Sequence, residues 1–104
     1  MSQNEFKATP TPSEHMEDSM YLWVNKGILP GSFGTALLLN SLSGAVMAAD
    51  ARNRIRIPEW VEWCYWNLPS SCWGSEEKVL AWEAAGGMHG MQAAAEAEEA
   101  NLRG

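Results

Sequence analysis

Residues 58–82 read PEWVEWCYWNLPSSCWGSEEKVLAW and carry five of the six tryptophans in the chain. An indole buries a large area, and its N–H wants a partner once it is out of water. Five of them within 25 residues exceed what one strand or one narrow helix stripe hides. The segment is therefore either the core of a very small domain or, in part, a sticky surface.

Within it, Pro58 disfavours helical geometry at Ile57 but is accepted in the first turn of a new helix. The spacing predicts a helix over about residues 58–67, with Val61, Tyr65 and Leu68 on one stripe. Trp60, Trp63, Cys64 and Trp66 widen that stripe almost all round, which means heavy burial or a contact surface. Leu68-Pro69-Ser70-Ser71 breaks the helix. Ser75 then caps another, with Glu76 and Glu77 in its first turn and Val79, Leu80 and Trp82 facing inward. Lys78 stands where a capping box would place Glu or Gln, so the box is incomplete. Gly86-Gly87 ends this helix.

Upstream, Pro10 and Pro12 mark residues 1–12 as a loose arm. Ser13 is placed to cap a helix in which Met16, Met20, Trp23 and Val24 recur at helical spacing, and Gly27 ends it. Pro30-Gly31-Ser32 reads as ordinary capping of a second helix bearing Phe33, Ala36, Leu37 and Asn40. Asn40-Ser41 breaks the chain, and Ser41 caps a third helix with Leu42, Ala45, Val46 and Ala49. Residues 88–104 offer good helix formers but few large apolar groups, and read as a frayed or partly helical tail.

The expected fold is all-α: a small single domain over residues 13–87, with four to five short helices around one Trp-rich core. That core is expected to hold Phe33, Leu37, Leu42, Val46, Val61, Tyr65, Trp73 and Trp82. Trp73, in the tight loop before a helix, acts as a plug pinning that loop to the core.

Length and composition fit one globular domain: 104 residues, 46% hydrophobic, formal net charge −6. That charge speaks against general binding to DNA, which relies on Lys and Arg neutralising phosphates. It suits a partner with a basic surface. No apolar run of about 18 residues suggests a membrane span. Cys64 and Cys72 are too few for a disulfide framework and lack metal-ligand spacing, so they read as buried, reduced thiols of a cytosolic protein. His15 and His89 lie near the ends with no nucleophile placed beside them, so no catalytic set is assigned. No metal or cofactor is implied, and no phosphate-binding glycine motif is present.

Two groups stand out as binding candidates. Trp60, Trp63 and Trp66 recur every three residues and cannot all face where Val61 and Tyr65 face, so at least one belongs to a surface or an interface. Tryptophan is favoured at binding hot spots. Arg52, Arg54 and Arg56 make one basic edge if that segment is extended, and spread over different faces if it is helical.

The run GILPGSFGTALLLNSLSGAVMAADARN, then a Trp/Tyr element and PSSCWGSEEKVLAW, resembles a family of small proteins encoded by bacteriophages and prophages. The matching positions include Pro30, Gly31, Phe33, Leu38, Asn40, Leu42, Ala49, Asp50, Asn53, Tyr65, Trp73, Gly74, Ser75, Glu77, Val79 and Trp82. They lie within residues 21–86. Gly34 and Thr35 depart from the more apolar pair the pattern leads one to expect, and residues 60–66 carry more tryptophan.

The resemblance implies a phage accessory protein in the host cytoplasm, with no settled activity to carry over. Joined to the acidic, aromatic surface, it leads to the expectation of a non-enzymatic inhibitor. Its partner would be a host antiviral defence protein that handles nucleic acid, such as a CRISPR effector or a nuclease. The alternative is a homo-oligomeric sponge that sequesters a small signalling nucleotide, with the arginines on phosphates and tryptophans stacking bases.

Overall fold

The computed structural model describes residues 10–103. Seven α-helices and two short 3-10 turns make up this part of the chain: α1 (Glu17–Lys26), α2 (Ser32–Leu38), α3 (Leu42–Ala48), α4 (Ala51–Arg54), α5 (Ile57–Asn67), α6 (Glu76–Ala85) and α7 (Gly87–Arg103), with 3-10 turns at Glu14–Met16 and Ser70–Cys72. The all-α expectation holds. The count of four to five helices is too low, because a single capped turn makes α4 and the segment after Gly86 forms a continuous α7.

Local chemistry sets the breaks. Gly27 ends α1 in the left-handed region, where its N–H reaches the Trp23 carbonyl and the N–H of Ile28 reaches Leu22. Asn40 does the same for α2 at φ 61°, and the next N–H, from Ser41, returns to Ala36. Asparagine tolerates this conformation better than most side chains. Ser41 caps α3, Asp50 caps α4 and Ser75 caps α6, each side chain accepting from the N–H three residues on. Ser13 does not act as a side-chain cap. Its hydroxyl is directed instead into the core, to Asn53.

Gly34 and Thr35 both fold onto Pro30. Gly34 lies so close to the proline ring that a Cβ there would come within 2.7 Å, and the Thr35 hydroxyl donates to the Pro30 carbonyl at 2.7 Å. A larger apolar residue at position 34 would push this turn open.

The core runs through Met20, Trp23, Val24, Phe33, Leu37, Leu38, Trp60, Trp63, Cys64, Cys72, Val79 and Trp82. α2 packs on α3, α1 on α7, and α6 on both α7 and the Ser70–Cys72 turn. Indole N–H groups tie distant elements together. Trp82 on α6 donates to the Trp23 and Val24 carbonyls of α1, at 3.0 and 3.2 Å. Trp23 donates in turn to the Cys72 carbonyl at 3.2 Å. Trp73 is partly buried against the core, and the N–H of Gly74 anchors the same loop to the Leu38 carbonyl at 2.7 Å. The plug expected of Trp73 is realised.

Three residues assigned to the core lie outside it. Leu42, Val61 and Tyr65 are exposed, and Leu80 on α6 also faces outward. On α5 the buried stripe is Ile57, Trp60, Trp63, Cys64 and Leu68. The physical reason is size. Removing an indole from water is worth on the order of 5 kcal/mol, well above what Val61 would return. The helix is therefore turned so that two indoles go in and the Val61–Tyr65 stripe stays out.

α7 crosses α1 at a point with no room for side chains. A Cβ on Gly27 would stand 2.7 Å from the Gly87 nitrogen, and a Cβ on Gly87 would run into the backbone of Gly27 and Lys26. Both glycines also have positive φ, 71° and 72°. Residues 10–12, read as part of a loose arm, are held down: Thr11 is buried and the Pro12 carbonyl accepts from Arg56. Residues 1–9 lie outside the described part.

Candidate binding surface

The three α5 tryptophans separate by helical geometry. At about 100° per residue, Trp60 and Trp63 straddle the buried side, while Trp66 is carried round to solvent. Trp60 is fully buried, packing edge-on to Phe33 at 6.0 Å and to Trp63 at 5.7 Å. Its N–H donates to Oδ1 of Asn53 at 3.1 Å. Trp63 is also buried, at 7% exposure, whereas Trp66 is 77% exposed. Of the three candidates, of which at least one was expected at a surface, Trp66 is the exposed one, while Trp60 and Trp63 belong to the core.

Asn53 is the polar centre behind this surface. Besides Trp60, its Oδ1 accepts from the Ser13 hydroxyl, and its Nδ2 donates to Sδ of Met16 at 3.6 Å. Among the described residues no buried side-chain nitrogen or oxygen lacks a partner. The Asn53 amide thus fixes the Ser13–Met16 segment to α5 and holds Trp60 inward.

The arginines do not gather. α4 is a helical turn, so Arg52 and Arg54 project separately into solvent. Arg56 is half-buried, and its guanidinium donates to the Pro12 carbonyl at 2.6 Å. Of the three, Arg56 alone lines the same groove as the exposed Trp66.

What the fold does assemble is an open groove of about 530 Å³ along α5. It is lined by Pro10–Pro12, Arg56, Glu59, Glu62 and Trp66, with Trp63 and Asn67 on its inner side. Glu59, Glu62 and Trp66 share one helix face because they stand at i, i+3 and i+7. Tyr65 packs edge-on to Trp66 with centroids 4.9 Å apart, an arrangement that braces the exposed indole. The two glutamates were not singled out from the sequence as binding residues. Their i, i+3 and i+7 spacing to Trp66 was the available signal.

A second cleft, of about 320 Å³, lies between the Glu14–Met16 turn, α2 and α4, with His15, Ser19, Ser32 and Asp50 at its margin. Oδ1 of Asp50 is engaged as the α4 cap at 2.7 Å. The two cysteines are fully buried. Burial, with a smaller contribution from neighbouring Cys72, pushes the Cys64 thiol up to about 12. Burial pushes Cys72 up to about 12 as well, against the opposing hydrogen bond from Trp23. Such thiols are protonated and poor nucleophiles at neutral pH. Among the described residues no group of His, Cys, Asp and Glu is placed to hold a metal ion, and no helix is long and apolar enough to cross a membrane.

The chain matches no family model, no curated protein and no solved structure.

Proposed function

We propose that this is a phage-encoded accessory protein that acts in the host cytoplasm by binding rather than catalysis, and that it inhibits a host antiviral defence protein. The observation that carries this reading is Trp66, 77% exposed on a helix whose other face is locked into the core. An indole held that way loses little conformational freedom on contact, which is how hot-spot aromatics contribute to affinity. Glu59 and Glu62 beside it, with the net charge of −6, favour a basic partner surface of the kind that binds nucleic acid. A CRISPR effector or a nuclease is the target class that fits.

The test is affinity capture from host extract with the wild-type chain and Trp66→Ala, each checked for folding by circular dichroism. Captured candidates are then assayed for nucleic-acid binding with and without the protein. Capture of a nucleic-acid-handling defence protein whose DNA or RNA binding falls on addition of the wild type, but not of Trp66→Ala, supports the reading. Capture unaffected by Trp66→Ala removes the proposed surface. A nucleotide released from the purified protein on heating favours sequestration instead.

A further inference from the structure

Building on the binding surface proposed above, we infer that the α5 groove receives an arginine side chain of the partner. The guanidinium stacks on the Trp66 indole, and its N–H groups are held by Glu59 and Glu62. Three observations converge. The two carboxylates and the indole lie on one face of α5 and line one open groove. Both glutamates are exposed. The indole is braced by Tyr65 at an interplanar angle of 89°.

Arginine fits this set better than lysine does. Its planar cation stacks on an aromatic face while its fork still reaches carboxylate oxygens, and it is less strongly hydrated than an ammonium. Phosphate and carboxylate ligands are disfavoured by the glutamates. The one cation that lines the groove, Arg56, is engaged by the Pro12 carbonyl on the same groove, and one guanidinium against two carboxylates leaves the lining net acidic.

The test uses a capped tetra-arginine peptide as probe, with tetra-lysine and tetra-citrulline counterparts, titrated by calorimetry and by the indole N–H signals of the ¹⁵N-labelled protein. The Trp66 signal is assigned from the Trp66→Phe variant. The arginine peptide is expected to bind saturably at low salt, about tenfold tighter than the citrulline peptide and about threefold tighter than the lysine peptide, and to shift the Trp66 signal most. Trp66→Ala should weaken it about threefold, and Glu59→Gln with Glu62→Gln about fivefold.

Glu76→Gln with Glu77→Gln makes the same charge change on α6 and should leave affinity within about twofold. Equal loss from the two glutamine pairs would show diffuse attraction by an acidic chain and overturn the assignment. So would retention of full affinity in Trp66→Ala, or the absence of saturable binding. If the peptide fails these criteria while Trp66→Ala still abolishes partner capture, the arginine assignment falls and the proposed surface stands. If capture is also unaffected, both fall.

Discussion

Trp60 donates its indole N–H to Oδ1 of Asn53 at 3.1 Å, across the join between α4 and α5, with both side chains buried. The same oxygen accepts from the Ser13 hydroxyl, so one amide serves three segments of the chain. A buried polar group is acceptable only while its hydrogen bonds are made. Asn53→Leu would leave the Trp60 N–H and the Ser13 hydroxyl without their acceptor. It should destabilise the fold by about 2–4 kcal/mol, read as a lower urea midpoint. Trp60→Phe removes one of the orphaned donors, so the Asn53→Leu/Trp60→Phe pair should lose less than the sum of the two single changes.

The α5 tryptophans should separate cleanly in stability. Trp60→Ala removes a fully buried indole packed against Phe33 and Trp63, and should lower stability by about 3–5 kcal/mol or prevent folding. Trp63→Ala should fall in the same range. Trp66→Ala deletes a side chain that is mostly in water and should stay within about 1 kcal/mol of the wild type in a urea titration. Equal losses at positions 60 and 66 would contradict the orientation of α5.

That orientation is also where sequence reasoning met its limit. Helix breaks were legible because they rest on local chemistry: Gly27 and Asn40 entering the left-handed region, and Ser41 and Ser75 capping. The rotation of α5 was not. Val61, Tyr65 and Leu68 and Ile57, Trp60 and Cys64 are both good helical stripes, and periodicity alone ranks them equally. The larger area of the indoles favours the second stripe, and Asn53 reaching the Trp60 N–H with Phe33 from α2 meeting its ring, contacts set by tertiary packing, fix it. Trp66 was recognised as part of a candidate surface, while Glu59 and Glu62 on its own helix face were not joined to it. The Arg52, Arg54 and Arg56 segment had two open readings, and the Asp50 cap decides for the helical one.

The α1–α7 crossing yields a backbone prediction. Gly87→Ala introduces a Cβ into the Gly27 and Lys26 backbone at a φ of 72°, so steric clash and conformational strain add. It should lower stability by about 3 kcal/mol or more, or release α7, which limited proteolysis would report as early cleavage within residues 87–103. Gly31→Ala is the matched control: its Cβ would meet nothing within 4 Å and its φ is −58°, so the change should lie within about 0.5 kcal/mol.

The buried thiols give a pH dependence whose sign follows from their direction of shift. Both are raised from an ordinary 9.0 to about 12 by burial. In the unfolded chain they ionise near their ordinary value, while in the folded chain they stay protonated. Their contribution is therefore fully present below pH 9.0, falls as pH rises above it, and levels off near the folded value of about 12. One unit above the ordinary value, linkage gives a loss of about 1.4 kcal/mol per thiol. Urea unfolding at a series of pH values from about 8 to 10 should show this decline, and the Cys64→Ala/Cys72→Ala variant should show a shallower one over the same range. At neutral pH a thiol-specific reagent should react with the native protein no faster than the chain unfolds. Rapid labelling of either cysteine would mean that α5 and the Ser70–Cys72 turn separate far more readily than their packing implies.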